Sequence, residues 1–227
     1  MRRFAGRIIL VALGFFILVI PTTAQISTTA HNLSTGGTGT AKSTNEDQVC
    51  IFCHTPHQAT VKVPLWNHNI AATPTYGVYA NGLSATMDAT PIELGGATAA
   101  TATISNLCLS CHDGTLGVND IVNVSTIGSP IMNGPNVVID ATGKIINSSN
   151  LGNDLTDDHP VNFVYDDAAT VDTEIVARAS LDPAIPLFGT PATLQCASCH
   201  DAHDNTNSPF LVKSNANSDL CTSCHIK

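Results

Sequence analysis

The eight cysteines of this chain fall into four pairs, and a histidine follows each pair directly. The sites are Cys50-Ile51-Phe52-Cys53-His54, Cys108-Leu109-Ser110-Cys111-His112, Cys196-Ala197-Ser198-Cys199-His200 and Cys221-Thr222-Ser223-Cys224-His225. Two thiols three residues apart can add to the two vinyl groups of one haem, and the adjoining imidazole can ligate the iron. Zinc and thiol–disulfide exchange also use CxxC pairs. Neither needs a histidine after every pair, and with nine histidines in 227 residues chance does not place one there four times. The pattern predicts four c-type haems and leaves no cysteine for a disulfide.

An iron held this way needs a sixth ligand. Subtracting the four proximal histidines leaves His31, His57, His68, His159 and His203. Met1, Met87 and Met132 have no ligand context, so bis-histidine ligation throughout is expected, with one histidine spare. His57 follows His54 by three residues, and His203 follows His200 by three. Residues three apart on a helical turn share a face, so neither pair can straddle one porphyrin. His57 and His203 are therefore expected to reach neighbouring haems. His159 lies between Asp157-Asp158 and Pro160, and either carboxylate could accept its second ring proton. His68 follows the apolar run ending in Trp66, the only tryptophan. Trp66 is expected to pack on a porphyrin and His68 to be a further candidate ligand. His31 sits in the run His31-Asn32-Leu33-Ser34 and would pin the segment around it.

The elements that must position these groups are weakly written. Residues 1–24 read as a signal peptide: Arg2, Arg3 and Arg7, an apolar core from Ile8 to Ile20, then small residues. Residues 25–48 read as an N-terminal arm rich in Thr, Ser and Gly, and 49–227 as one tetrahaem cytochrome domain. Short turns are expected at the first motif, a short helix at Ala97 to Ala102 leading to Cys108, and one or two helical turns over 173–181. Val118 to Ile127, Val137 to Ile139 and Lys144 to Ile146 are β-prone and suggest a small β-containing lobe. One Trp, three Tyr and seven Phe are few for this length, so the cofactors must supply the core. The expected fold is a mostly irregular multihaem cytochrome c, with short helices and a few short strands wrapped around a haem chain.

Without the signal, six basic residues face 18 acidic ones, a net charge near −12. That argues against nucleic acid and anionic lipid as partners. No second apolar span follows the signal, so the mature chain is expected to be exported without a membrane span.

Several motifs occur in a recognisable order: His31-Asn32-Leu33-Ser34, His54-Thr55-Pro56-His57, Pro64-Leu65-Trp66-Asn67, His112-Asp113-Gly114-Thr115, Asp157-Asp158-His159-Pro160-Val161 and His200-Asp201-Ala202-His203. Together with the four haem motifs, this order resembles the extracellular multihaem cytochromes of metal-reducing bacteria, most closely the tetrahaem OmcE-type filament subunits. The resemblance implies haems stacked in alternating near-parallel and T-shaped pairs. It also implies a head-to-tail homopolymer in which a histidine of one subunit completes a haem of the next. By position His31 would be that crossing ligand, although the sequence leaves open whether it ligates within its own chain. Other members place an arginine after the Trp-Asn pair, where this chain has His68.

No nucleophile elbow, phosphate loop or paired-carboxylate motif appears, and the ligand count leaves no open iron. The chain is therefore expected not to be an enzyme. The competing expectations are an extracellular cytochrome filament subunit, a monomeric periplasmic tetrahaem shuttle and, last, a multihaem reductase.

Overall fold

A computed structural model describes residues 25–59, 64–70, 75–77, 94 and 101–226. The expected signal peptide lies outside the described residues. So do Met87, positions 61–63 of the apolar run before Trp66, and positions 97–100 of the expected helix before Cys108.

Regular structure is scarce, because short segments are held by the haem motifs rather than by long apolar faces. Helix α1 spans Ile104–His112 and contains the whole second motif. Ile104, Leu107, Cys108 and Cys111 recur at the spacing of one helical face, so both thiols emerge on one side. Its start is fixed by Asn106, whose side-chain oxygen accepts from the Thr103 N–H at 2.8 Å and the Thr103 hydroxyl at 3.0 Å. A two-stranded antiparallel sheet follows, β1 (Phe163–Val164) against β2 (Thr193–Leu194), with Phe163 opposite Leu194. Helix α2 (Tyr165–Val171) leaves β1 directly. Two single turns, α3 (Cys196–Cys199) and α4 (Asp219–Thr222), carry the third and fourth motifs.

The β-containing lobe takes a different form from the one expected. Residues 118–146 form no named strand; they close only through isolated bridges, Ser125 to Gly128 and Ile139 to Ile145. The Asn, Gly and Pro residues within the lobe break every run before a ladder can grow. The strands form instead around 163 and 193, where the two short apolar pairs meet behind the last two motifs. Over 173–181 only a 3-10 turn forms, at Arg178–Ser180.

The N-terminal arm is no free tail. Its backbone runs along the lobe, with Thr44 N–H donating to the Ile131 carbonyl at 2.7 Å and Asn133 N–H to the Lys42 carbonyl at 2.9 Å. Glu46 is fully buried; its carboxylate accepts from the Ser125 hydroxyl at 2.6 Å and the Gln48 N–H at 2.9 Å. The chain turns so tightly at Gly37 that any side chain there would collide with the Asn32 carbonyl.

Among the described residues, apolar packing is divided into three small nuclei, each backing a motif. Ala41, Val118, Ile139 and Ile145 pack near Cys111. Tyr76, Leu94, Leu109 and Leu155 lie behind α1. Phe163, Tyr165 and Leu194 pack near Cys224. Helices α1 and α3 are locked by a buried exchange: Ser105 N–H donates to the Gln195 side-chain oxygen at 3.0 Å, and Cys196 N–H donates to the Ser105 hydroxyl at 3.2 Å. Replacing Ser105 with Ala strands the part-buried Cys196 N–H. We expect a loss of about 1–3 kcal/mol in denaturant unfolding of the haem-loaded protein, with the haem count unchanged.

Candidate haem-binding site

Each motif is one helical turn, which places the second thiol and the histidine within reach of the first. The histidine N–H donates to the carbonyl of the first cysteine in motifs one, three and four, at 2.8, 3.0 and 2.9 Å. The ring of each of the first three proximal histidines is then fixed by a distant carbonyl. His54 Nδ1 meets Pro64 O at 2.8 Å, His112 Nδ1 meets Ser149 O at 2.7 Å, and His200 Nδ1 meets Pro209 O at 3.0 Å. A ring that donates from Nδ1 keeps the Nε2 lone pair for a metal.

Metal–nitrogen bonds of about 2 Å on either side of one ion, plus the depth of each ring, place two facing imidazole centroids about 6 Å apart. Three histidine pairs meet that spacing. His31 faces His112 at 6.2 Å, His203 faces His54 at 6.0 Å, and His159 faces His225 at 6.3 Å. Each pair joins a proximal histidine to one of the expected distal candidates. The distal rings use the same device: His31 Nδ1 lies 3.4 Å from Ala202 O and His159 Nδ1 2.9 Å from Pro160 O. His203 Nδ1 instead faces the Asp201 carboxylate at 3.5 Å. Burial, and next the His112 ring, hold His31 below the ordinary histidine range, which favours the neutral ring that a metal binds.

The resemblance gave His31 as a crossing ligand, with ligation within its own chain left open; its ring faces His112 of its own chain and stacks on Phe210 at 4.4 Å. The second-ring proton of His159 goes to the Pro160 carbonyl rather than to Asp157 or Asp158, because the next peptide is nearer than either carboxylate. His68, a candidate ligand, is fully buried, with Nδ1 2.9 Å from Asn69 O and Nε2 2.9 Å from Gly117 O. Both of its nitrogens are engaged by backbone, so it pins residues 67–69 to the lobe instead of facing an iron. His57 and His200 are exposed, and among the described residues neither has a facing histidine ring.

The motifs lie in chain order. Cys53 is within electrostatic reach of Cys111, Cys108 hydrogen-bonds Cys196, and Cys199 is within reach of Cys224. Burial pushes the Cys53 and Cys111 thiols up to about 12 and Cys199 to about 11. Cys196 is instead held down by the hydrogen bond from Cys108, whose own thiol is correspondingly raised. Among the described residues no three His, Cys, Asp or Glu side chains converge on one point.

Motifs one and three prove to be copies of one backbone unit, which the sequence hides because little matches beyond the CxxCHxxH residues and a proline displaced by one position. In each, a proline carbonyl takes the proximal ring, and the next residue, Leu65 or Phe210, has left-handed backbone at φ 65° and 60°. The following residue, Trp66 or Leu211, bridges back to His54 or His200. Paired backbone bonds repeat as well: Thr55 N–H to Leu65 O and Asp201 N–H to Phe210 O, at 3.0 and 2.7 Å. Trp66 stands edge-on to His54, ring centroids 6.2 Å apart at 88°. Its indole N–H is shielded from solvent and meets no acceptor among the described residues. This orphaned donor, the facing imidazoles and the paired thiols together fit a haem at these positions.

The fourth motif is tied to the chain before it. Lys213 Nζ meets Asp182 at 2.7 Å and Asp219, the first residue of α4, at 3.1 Å. The Lys213 ammonium holds the Asp182 carboxyl below the usual carboxylate range. The tie is intact above that range and is lost as pH falls through the lowered value.

The pairing generates a contrast between two histidines. His31→Ala should leave the number of attached haems unchanged and open one iron per chain to carbon monoxide. His68→Ala should open none, yet should cost about 1–3 kcal/mol in denaturant unfolding through the carbonyls it strands.

A family profile described as Doubled CXXCH motif matches residues 190–227, which hold the third and fourth sites. No curated protein matches the chain. Among the described residues no helix is long and apolar enough to cross a membrane. The doubled motif and the mostly irregular fold of short helices and one small sheet point to a multihaem c-type cytochrome, a protein that carries electrons through covalently bound haem, and suggest export.

Proposed function

We propose that the chain is the subunit of an extracellular cytochrome filament, binding four bis-histidine c-type haems and transferring electrons along them without catalysing a reaction of its own. When bound, each haem supplies an iron that accepts and releases one electron. The residues of the chain do the rest. Four motifs in a row set the spacing, carbonyls orient the rings, and two histidines on each iron keep substrates from binding. The last feature favours a carrier over a reductase.

The observation that carries the filament reading is the inventory of histidines. Three proximal rings are met within the chain, while His200 and His57 are left exposed and unmatched. A head-to-tail contact in which His57 of one copy meets His200 of the next would use both. Because it repeats without closing, it would generate a fibre. The resemblance to OmcE-type subunits supports the same assembly, with His57 rather than His31 as the crossing ligand.

Electron microscopy of the native protein and of His57→Ala tests this. The proposal expects wild-type filaments, and for the variant single subunits with four attached haems and one iron per chain open to carbon monoxide. Filaments that persist in the variant while that iron opens would assign His57 to its own chain and refute the crossing ligand. A native protein that stays monomeric with all irons closed would support the periplasmic shuttle instead.

A further inference from the structure

The two equivalent units differ at one chemically decisive place. Unit one puts Trp66 where unit three puts Leu211, at the same bridge to the proximal histidine. Both side chains are half-buried, but only the indole carries a donor, and that donor is buried without an acceptor among the described residues. Trp66 cannot easily turn it to water. Its neighbours are riveted to the motif: Thr55 N–H to Leu65 O at 3.0 Å, Asn67 N–H to Cys53 O at 2.9 Å, and the Asn67 side-chain amide to Ile51 O at 2.6 Å and Asn123 O at 2.9 Å. The nearby His54 ring offers no acceptor either. Its Nδ1 is held by Pro64 O at 2.8 Å, and its Nε2 is the metal-binding nitrogen.

A buried N–H in a native protein is rarely left unpaired. In a haem whose four pyrrole nitrogens hold iron, the acceptors left are the propionate carboxylates. We propose that the Trp66 indole N–H donates to a propionate of the haem at the first motif and thereby raises that haem's reduction potential above what the same unit gives at the third motif. This rests on the haem reading of the first motif. A propionate charge near the iron favours the ferric state, and a donor that disperses this charge weakens the preference. Leu211 gives the third motif no such donor. Two sites built on one backbone unit would thus differ by one N–H, which biases where an electron rests along the row.

The test is Trp66→Phe, which keeps an aromatic ring against His54 and removes the donor. Mass spectrometry of the peptide spanning Cys50 and Cys53 first reports whether haem is attached; an unmodified peptide there would overturn the haem reading itself. With four haems retained, the propionate bending band of one haem in the resonance Raman spectrum should shift, and one of the four reduction potentials should fall. In the wild type the single tryptophan, labelled with ¹⁵N, should give one indole resonance that exchanges slowly with deuterated water. An unchanged Raman band with four unchanged potentials, or an indole proton exchanging at the solvent rate, would overturn the assignment while leaving the haem reading intact.

Discussion

The fold turns on fixing histidine rings beside the CxxCH motifs, three of which meet a second imidazole within the chain. The chain has little else to fold around. Among the described residues its three apolar nuclei are small and separate, and its strands are two residues long. What fixes the geometry is a set of long-range contacts ending on histidine rings: Pro64 on His54, Ser149 on His112, Pro209 on His200 and Ala202 on His31. Each contact ties a ring to a carbonyl at least nine positions away, so orienting the ligands and folding the backbone are one process. A metal-centred domain of this kind draws its stability from the bound group.

The arrangement also explains why the N-terminal segment is ordered. An arm rich in Ser, Thr and Gly would not repay the entropy of its ordering through its own surface. It is held by the lobe through Thr44 and Asn133 and through the buried Glu46, and its His31 ring is delivered to His112. The arm therefore brings its His31 ring to the second motif of its own chain.

That the chain carries c-type haem motifs was legible in the sequence, because CxxCH is a local pattern and its three functional residues act within one turn. The three-residue spacing put His203 and His200 on one face, and the His203 ring lies beside His54 rather than His200. The partner of each distal histidine was not legible, because it depends on chain paths of up to 171 residues, such as that from His31 to Ala202. His68 misled for a related reason: a histidine after an apolar anchor reads as a ligand, but here two carbonyls claim both of its nitrogens. The short strands escaped notice because two-residue pairs carry no period, and the kinship of the first and third units lies in backbone bonds that unlike side chains can make.

The central claim is that every iron lies between two imidazoles. Near-infrared magnetic circular dichroism of the oxidised, haem-loaded native protein tests this most directly, because the position of the charge-transfer band reports the axial pair of each low-spin haem. The account predicts only the bis-histidine signature. A histidine–methionine band, or the bands of a high-spin iron with an open position, would contradict it.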